Sequence, residues 1–216
     1  MRLAALYKGA AMDRRLPIRN WFDVAYEGSP PWDIGRPQNV FKNLAEQGLI
    51  HGRVLDVGCG TGELALELAS RGHDVVGVDA SRMALHKAGL KADARGLKAR
   101  FIHADALDLQ GVGRFDTVVD CGLFHVFSDG DRVRYAQSLA RVVEPGGLMH
   151  LLCFSDRQPG VMGPRRVSVD ELKRTFRRGW VTASVKDAVF ETHALRGGAR
   201  AYLATFARID GTTLLH

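Results

Sequence analysis

The chain has 216 residues, of which 46% are hydrophobic and 25% charged, with a formal net charge of +6. This length and balance exclude a fibrous or wholly disordered polypeptide and favour one globular domain with a sizeable core. No apolar run reaches the ~18 residues that a membrane span requires.

The basic balance admits nucleic acid or acidic substrates as partners, although a solvated basic surface accounts for it more simply. Residues 1–13 are expected to be a disordered extension, with Met12 as an alternative start. They lack the long apolar centre of a signal peptide. Residues 14–216 are then one domain. Cys59, Cys121 and Cys153 form neither a CxxC pair nor a zinc-type spacing. A reducing, cytoplasmic compartment is therefore expected, and no metal.

In chain order, 14–48 reads as two helical stretches broken at Gly28-Ser-Pro-Pro31. Strands are expected at 53–57, 74–78, 99–103, 117–121 and 148–154. Helices are expected at 63–70, 82–94 and 131–143, the last stopping at Pro145-Gly146-Gly147. This alternation predicts parallel pairing through right-handed crossovers. The runs 181–192 and 200–209, joined through Gly197-Gly198, predict an antiparallel hairpin at the end. A basic helix carrying Lys173, Arg174, Arg177 and Arg178 is expected before it.

Four segments can carry chemistry. Gly58, Gly60 and Gly62 follow the first strand in Val54-Leu-Asp-Val-Gly-Cys-Gly-Thr-Gly-Glu-Leu-Ala65. Glycines at this turn let the backbone approach a ligand closely, and the next helix offers its positive end to a carboxylate. The third glycine comes one residue early for a dinucleotide fingerprint. Glu63 stands in its place, poorly suited to a pyrophosphate but tolerable beside an ammonium group. Asp79 ends the second strand, where a carboxylate can accept both hydroxyls of a ribose. It could instead cap the following helix, but Ser81 is better placed for that. Asp105 and Ala106 follow the third strand, where a carboxylate and a backbone N–H could meet an adenine. Cys121 and Gly122 close the fourth strand at the carboxyl edge, where open α/β sheets bind ligands.

In this order and spacing the four segments resemble the class I S-adenosylmethionine-dependent methyltransferases. The resemblance covers roughly residues 53–154. It implies a Rossmann-like three-layer α/β sandwich with a mostly parallel seven-stranded sheet ending in an antiparallel hairpin. It implies S-adenosylmethionine as cofactor and S-adenosylhomocysteine as product. Carried over, Asp56 with the loop of Gly58, Gly60 and Gly62 holds the methionine part, and Asp79 with Ala80 holds the ribose. Asp105 with Ala106 meets the adenine, and Cys121 and Gly122 lie beside the cofactor. Upstream, Trp21 and Pro31-Trp32-Asp-Ile-Gly-Arg-Pro-Gln38 resemble the N-terminal region of the thiopurine and halide/thiol methyltransferases. They are also similar to actinobacterial heterocycle or quinone methyltransferases. Residues 14–48 then form a helical lid, with Trp21 and Trp32 closing over the cofactor, unless they merely fill a hydrophobic seam.

The expected reaction is methyl transfer to a small-molecule nucleophile: a thiol, a phenol or quinol, or a heterocycle nitrogen. Methylation of RNA or other nucleic acid is the alternative within the enzyme class, and a non-catalytic cofactor-binding protein the alternative outside it. No added RNA-binding module is visible and the fourth strand lacks an Asn/Asp-Pro-Pro-aromatic motif, so nucleic acid is not the expected partner. A monomer and no membrane association are expected. His125, just past the fourth strand, is the candidate general base, with packing in the loop as the alternative. His103 is expected to point into or across the sheet. Phe124 and Phe127 are expected either to line an apolar pocket or to pack in the core. Residues 155–166 read as a long mobile loop able to cover a substrate, with Arg165 and Arg166 either drawing in an anion or facing solvent.

Overall fold

A computed structural model describes residues 18–161 and 163–209. The expected extension at 1–13, the start of the first helical stretch and Met162 of the 155–166 loop lie outside the described residues. Helices α1 (Ile18–Glu27) and α2 (Asn39–Glu46) precede an alternating run: β1 (Arg53–Val57), α3 (Glu63–Ser70), β2 (Asp74–Asp79), α4 (Arg82–Arg95), β3 (Arg100–His103), β4 (Phe115–Cys121), α5 (Asp129–Val142) and β5 (Val143–Phe154). Helix α6 (Val169–Thr175) and strands β6 (Trp180–Phe190) and β7 (Ala199–Arg208) complete the chain. A 3-10 turn, Phe124–Val126, lies between β4 and α5.

The seven strands form one sheet in the order β3-β2-β1-β4-β5-β7-β6. Strands β1 to β5 are parallel, and β7 runs antiparallel to both β5 and β6. The expected hairpin ends the sheet, with its reversed strand β7 lying between β5 and β6. Strand order reverses beside β1, so the crevice above β1 and β4 is the topological switch point where ligands of such sheets bind.

The strands are apolar on both faces because helices cover both. Leu55, Val76, Val118, Met149 and Leu151 enter the cluster that α5 and α6 cover. Val54, Val75, Val119 and Leu152 enter the cluster that α2 and α3 cover. Local signals set the helix ends. The Ser81 hydroxyl accepts from Ala84 N–H to start α4, and Ser128 accepts from Asp131 N–H to start α5. Ser168 and Glu171 form a reciprocal capping box on α6. That helix ends at Thr175, so Arg177 and Arg178 lie beyond the basic helix in which the sequence placed them.

Pro145-Gly146-Gly147 does not delay β5 until residue 148. The strand starts at Val143 opposite Phe115, and a bulge resets the pairing at Thr117 with Leu148. A Cβ on Gly147 would lie 2.8 Å from the Glu144 carbonyl oxygen and 2.9 Å from that of Asp116, so only glycine fits this crossing.

Gly62 sits at the N-cap of α3 with φ 81°, and an added Cβ would fall 2.9 Å from Ala88 Cβ and 3.0 Å from the Phe101 ring. Gly62→Ala should therefore lower the unfolding free energy by at least about 2 kcal/mol in a urea titration, through backbone strain and overpacking together.

Candidate cofactor and acceptor site

The turn after β1 brings the ends of β1 and β2 together. Gly58 and Cys59 donate their N–H groups to the Val78 carbonyl at 2.8 and 3.0 Å, and Gly62 donates to Cys59. Gly60 N–H donates to Asp79 Oδ2 at 2.8 Å. The N–H groups of Gly58, Cys59, Gly60 and Gly62 are thus spent on the protein. The glycines serve conformation and close approach, with φ of 70°, 53° and 81° at Gly58, Gly60 and Gly62. Glu63 also departs from expectation. It pairs with Lys91 at 2.8 Å and Arg95 at 3.0 Å, so it faces α4 and not a ligand ammonium.

Asp56, at the end of β1, is buried, and its carboxylate accepts from Ala65 N–H in the first turn of α3. Its Oδ2 is enclosed without a partner. Burial pushes its pKa up to about 8, and the charges of Asp79 and Asp120 push the same way. Asp79 is also raised by burial, against the hydrogen bonds it accepts from Ser81, Gly60 and Ala80. Ser81 takes the capping role on α4, as its position predicted, while Asp79 ties the β2 end to the glycine turn.

Ala104 N–H donates to the Asp79 carbonyl, which brings the segment after β3 to the same edge. There Asp105 Oδ1 accepts from Leu107 N–H at 3.0 Å, with Ala106 in between. Asp79, Ala80, Asp105 and Ala106 therefore stand at neighbouring strand ends. His103 points away from the sheet: its Nε2 lies 3.0 Å from the Ala80 carbonyl and the residue is exposed. Cys121 and Gly122 close β4 next to β1, and burial raises the Cys121 thiol. A Cβ on Gly122 would lie 2.7 Å from the Phe190 ring.

Residues 21–39 form a strap over this edge. Trp21 and Trp32 stack with centroids 5.7 Å apart, and Phe22 and Tyr26 meet Trp32 edge-on. Trp32 Nε1 donates to the Tyr26 hydroxyl at 3.0 Å. That hydroxyl would lie 2.6 Å from a Cβ on Gly60, so the aromatic group rests directly on the glycine turn. Thr61 Oγ1 donates to Asp33 at 2.8 Å. Across the edge, Glu191 accepts from Arg36 at 2.7 Å and from Asn39 N–H at 2.9 Å. Gln38 pairs with the Glu191 backbone in both directions. Pro31 carbonyl accepts from His193 N–H and the Thr192 hydroxyl. Sequence reasoning missed Tyr26 and Glu191. Tyr26 carried a readable signal, its spacing of one helical turn from Phe22, whereas Glu191 is 155 residues from Arg36 and carried none.

His125 lies in the 3-10 turn and is only 5% exposed. Its Nδ1 accepts from Phe154 N–H at 3.1 Å. Phe124 packs in the core, and Phe127 packs against it. Asp120 organises this turn by accepting from Tyr135 Oη at 2.7 Å and from Leu123 N–H at 2.8 Å. Arg165 pairs with Asp129 and Glu171, and Arg166 donates to the carbonyls of Gln158, Pro164 and Gly160.

The donor set suits a cofactor that combines a cation with a sugar and a purine: a buried carboxylate with an unpartnered oxygen, a glycine turn without side chains, and further carboxylates at the next two strand ends. Known proteins agree. The methyltransferase domain family matches residues 54–147. The 2-heptyl-1-hydroxyquinolin-4(1H)-one methyltransferase of Mycobacteroides abscessus is 38% identical over 79% of this chain and 81% of its own. A probable thiol methyltransferase of Arabidopsis thaliana is 33% identical over 69% of this chain and 67% of its own. A solved structure from work on the conversion of a disulfide bond into a thioacetal group during echinomycin biosynthesis superposes with a TM-score of 0.84. It is 38% identical and covers 91% of this chain and 95% of that one.

The chain belongs to the S-adenosylmethionine-dependent methyltransferases with a Rossmann-like fold. It is an enzyme that transfers the methyl group of S-adenosylmethionine to a small-molecule acceptor.

The raised pKa of Asp56 has a consequence for binding. Below about 8 the free protein holds this carboxyl protonated. A cofactor ammonium seated against Asp56 would favour its carboxylate and expel a proton, so affinity should climb as pH rises towards about 8, by up to about tenfold per unit. Calorimetry with S-adenosylmethionine between about pH 6 and 8 should show this slope, and Asp56→Asn should flatten it.

Proposed function

We propose that the acceptor is a flat aromatic molecule bearing an N-hydroxyl, hydroxyl or thiol group, bound between the aromatic strap and the ends of β4 and β5. The observation that carries this reading is the strap itself. Its aromatic cluster rests on Gly60 at one end, and Glu191 braces residues 36–39 at the other. An edge bridged in this way suits a small flat guest better than a polymer. The hydroxyquinolone in one relative's name is flat, aromatic and N-hydroxylated, and another relative is named for thiols.

In this reading residues 14–48 are the helical lid of a single domain spanning 14–216. Asp56 and the loop of Gly58, Gly60 and Gly62 receive the methionine part of the cofactor. Asp79 and Ala80 receive the ribose, and Asp105 and Ala106 the adenine. Cys121 and Gly122 flank the sulfur, and Trp21 and Trp32 cover it. The bound cofactor supplies an electrophilic methyl group on a sulfonium. What the chain contributes is alignment of the acceptor with that methyl and exclusion of water. Its three free cysteines suit a reducing cytoplasm. No helix among the described residues is long and apolar enough to cross a membrane.

The test is calorimetry with S-adenosylmethionine and S-adenosylhomocysteine, followed by methyl transfer to a panel of aromatic thiols, hydroxyquinolones, quinols and RNA. Turnover is expected on the aromatic small molecules and not on RNA; the reverse pattern would end this reading. Asp79→Ala should weaken cofactor affinity at least about tenfold, through loss of charge-assisted hydrogen bonds. Trp32→Ala should also weaken cofactor affinity, with the sheet still folded by circular dichroism. Loss of folding instead would make Trp32 a core residue.

A further inference from the structure

We propose that His125 is a hydrogen-bond donor to the methyl acceptor, and that the acceptor enters the site as an anion with its proton already lost to solvent. This deepens the reading above and rests on it. The hydrogen bond at Nδ1 fixes the tautomer of the ring. A backbone N–H can only donate, and Phe154 N–H is directed at His125 Nδ1 over 3.1 Å. Nδ1 therefore presents its lone pair, and the neutral ring carries its hydrogen on Nε2. Such a ring has no basic nitrogen left for a substrate proton. Protonation at Nδ1 would break the bond to Phe154 and leave a buried backbone N–H unpaired.

The surroundings favour the same state. Phe154 stands edge-on to the ring at 5.2 Å and Phe190 lies at 5.7 Å. The charged groups that bear on the ring are Arg132 from α5 and Arg166 from the loop after β5, both cations. Burial and these two charges push the pKa of His125 down to about 3, far below the range useful to a general base at neutral pH. Arg132 is paired with Glu171 at 3.3 Å, so the fixed N–H donor and the Arg166 charge make a poor base but a good seat for an anion. Among the described residues no group accepts from Nε2, and it is not one of the enclosed polar atoms left without a partner. The ring borders Gly122 beside the cofactor crevice, with Cε1 3.4 Å from where a Cβ on Gly122 would stand.

The reaction then balances without a protein base. A lone pair of the anionic oxygen or sulfur forms the bond to the methyl carbon. The bond from that carbon to the sulfonium breaks, its electron pair stays on sulfur, and no proton moves in the step. The acceptors so selected are aromatic N-hydroxy compounds, acidic phenols and thiols that are substantially ionised near neutral pH.

Two measurements test this. The first is two-bond ¹H–¹⁵N NMR of the histidine rings in the cofactor-bound protein, with His125 assigned by the signals lost in His125→Gln. The expected pattern is a neutral Nε2–H ring that persists as pH falls to about 5. An Nδ1–H pattern, or titration near the ordinary histidine value, would overturn the proposal. The second is kcat/KM against pH for two 1-hydroxyquinolin-4-ones of different acidity. The rising limb should move with the acidity of the acceptor. His125→Asn keeps an acceptor for Phe154 N–H but falls short of the Nε2 position, and should lose about tenfold to a hundredfold in kcat/KM. His125→Gln, which places an N–H near Nε2, should recover most of that loss. A limb at the same pH for both acceptors that vanishes in both variants would make His125 the base after all. Cofactor binding without turnover on any small acceptor would remove the broader reading, whereas an Nδ1–H spectrum would remove this one alone.

Discussion

The site depends on one constraint: the chain must reverse between β1 and α3 within five residues while the β1 end stays tied to the β2 end. Val78 carbonyl accepts from both Gly58 and Cys59, and Asp79 accepts from Gly60. These bonds require positive φ at Gly58, Gly60 and Gly62, which only glycine adopts without strain. They also consume the N–H groups of Gly58, Cys59 and Gly60. Asp56, at the end of β1, keeps one enclosed oxygen without a partner beneath this turn.

The strap completes what the sheet edge begins. Its residues 31–39 contact both sides of the crevice, Thr61 at the glycine turn and Glu191 to His193 after β6. Few of these contacts are worth much alone, since the Arg36 side chain in the pair with Glu191 is half exposed. They act as a set because Glu191 gathers Arg36, Gln38 and Asn39 on one residue. Tyr26 is the joint of the aromatic part, accepting from Trp32 while pressing on the turn at Gly60.

The loop after β4 shows how a single buried acid can shape a neighbouring site. Asp120 is raised to about 6 by burial, against the hydrogen bonds from Tyr135, Leu123, Phe124 and Gly122 that favour its charged form. Those bonds wind the 3-10 turn that sends Phe124 into one core and His125 toward Phe154 and Phe190. The orientation of His125, and with it the tautomer, is a product of this local winding.

The alternation of strands and helices, the glycine turn, the Ser81 cap and the final hairpin were legible in the sequence because each arises from local propensity and periodicity. Observed boundaries of the first strand and its helix coincide with the expected ones, 53–57 and 63–70. The β5 start was misjudged because the pairing of Val143 with Phe115 overrides the Pro-Gly-Gly signal by letting it bulge. Glu63 could be placed by number but not by partner. Glu63 turns toward α4 because Lys91 and Arg95 lie on its facing side, and His125 Nδ1 meets Phe154 N–H, 29 residues away. Residue types and their order thus determined the class of fold and the edge where ligands bind. Partners distant in the chain decided which atoms at that edge remain available, because hydrogen bonds and ion pairs depend on distance and direction in space.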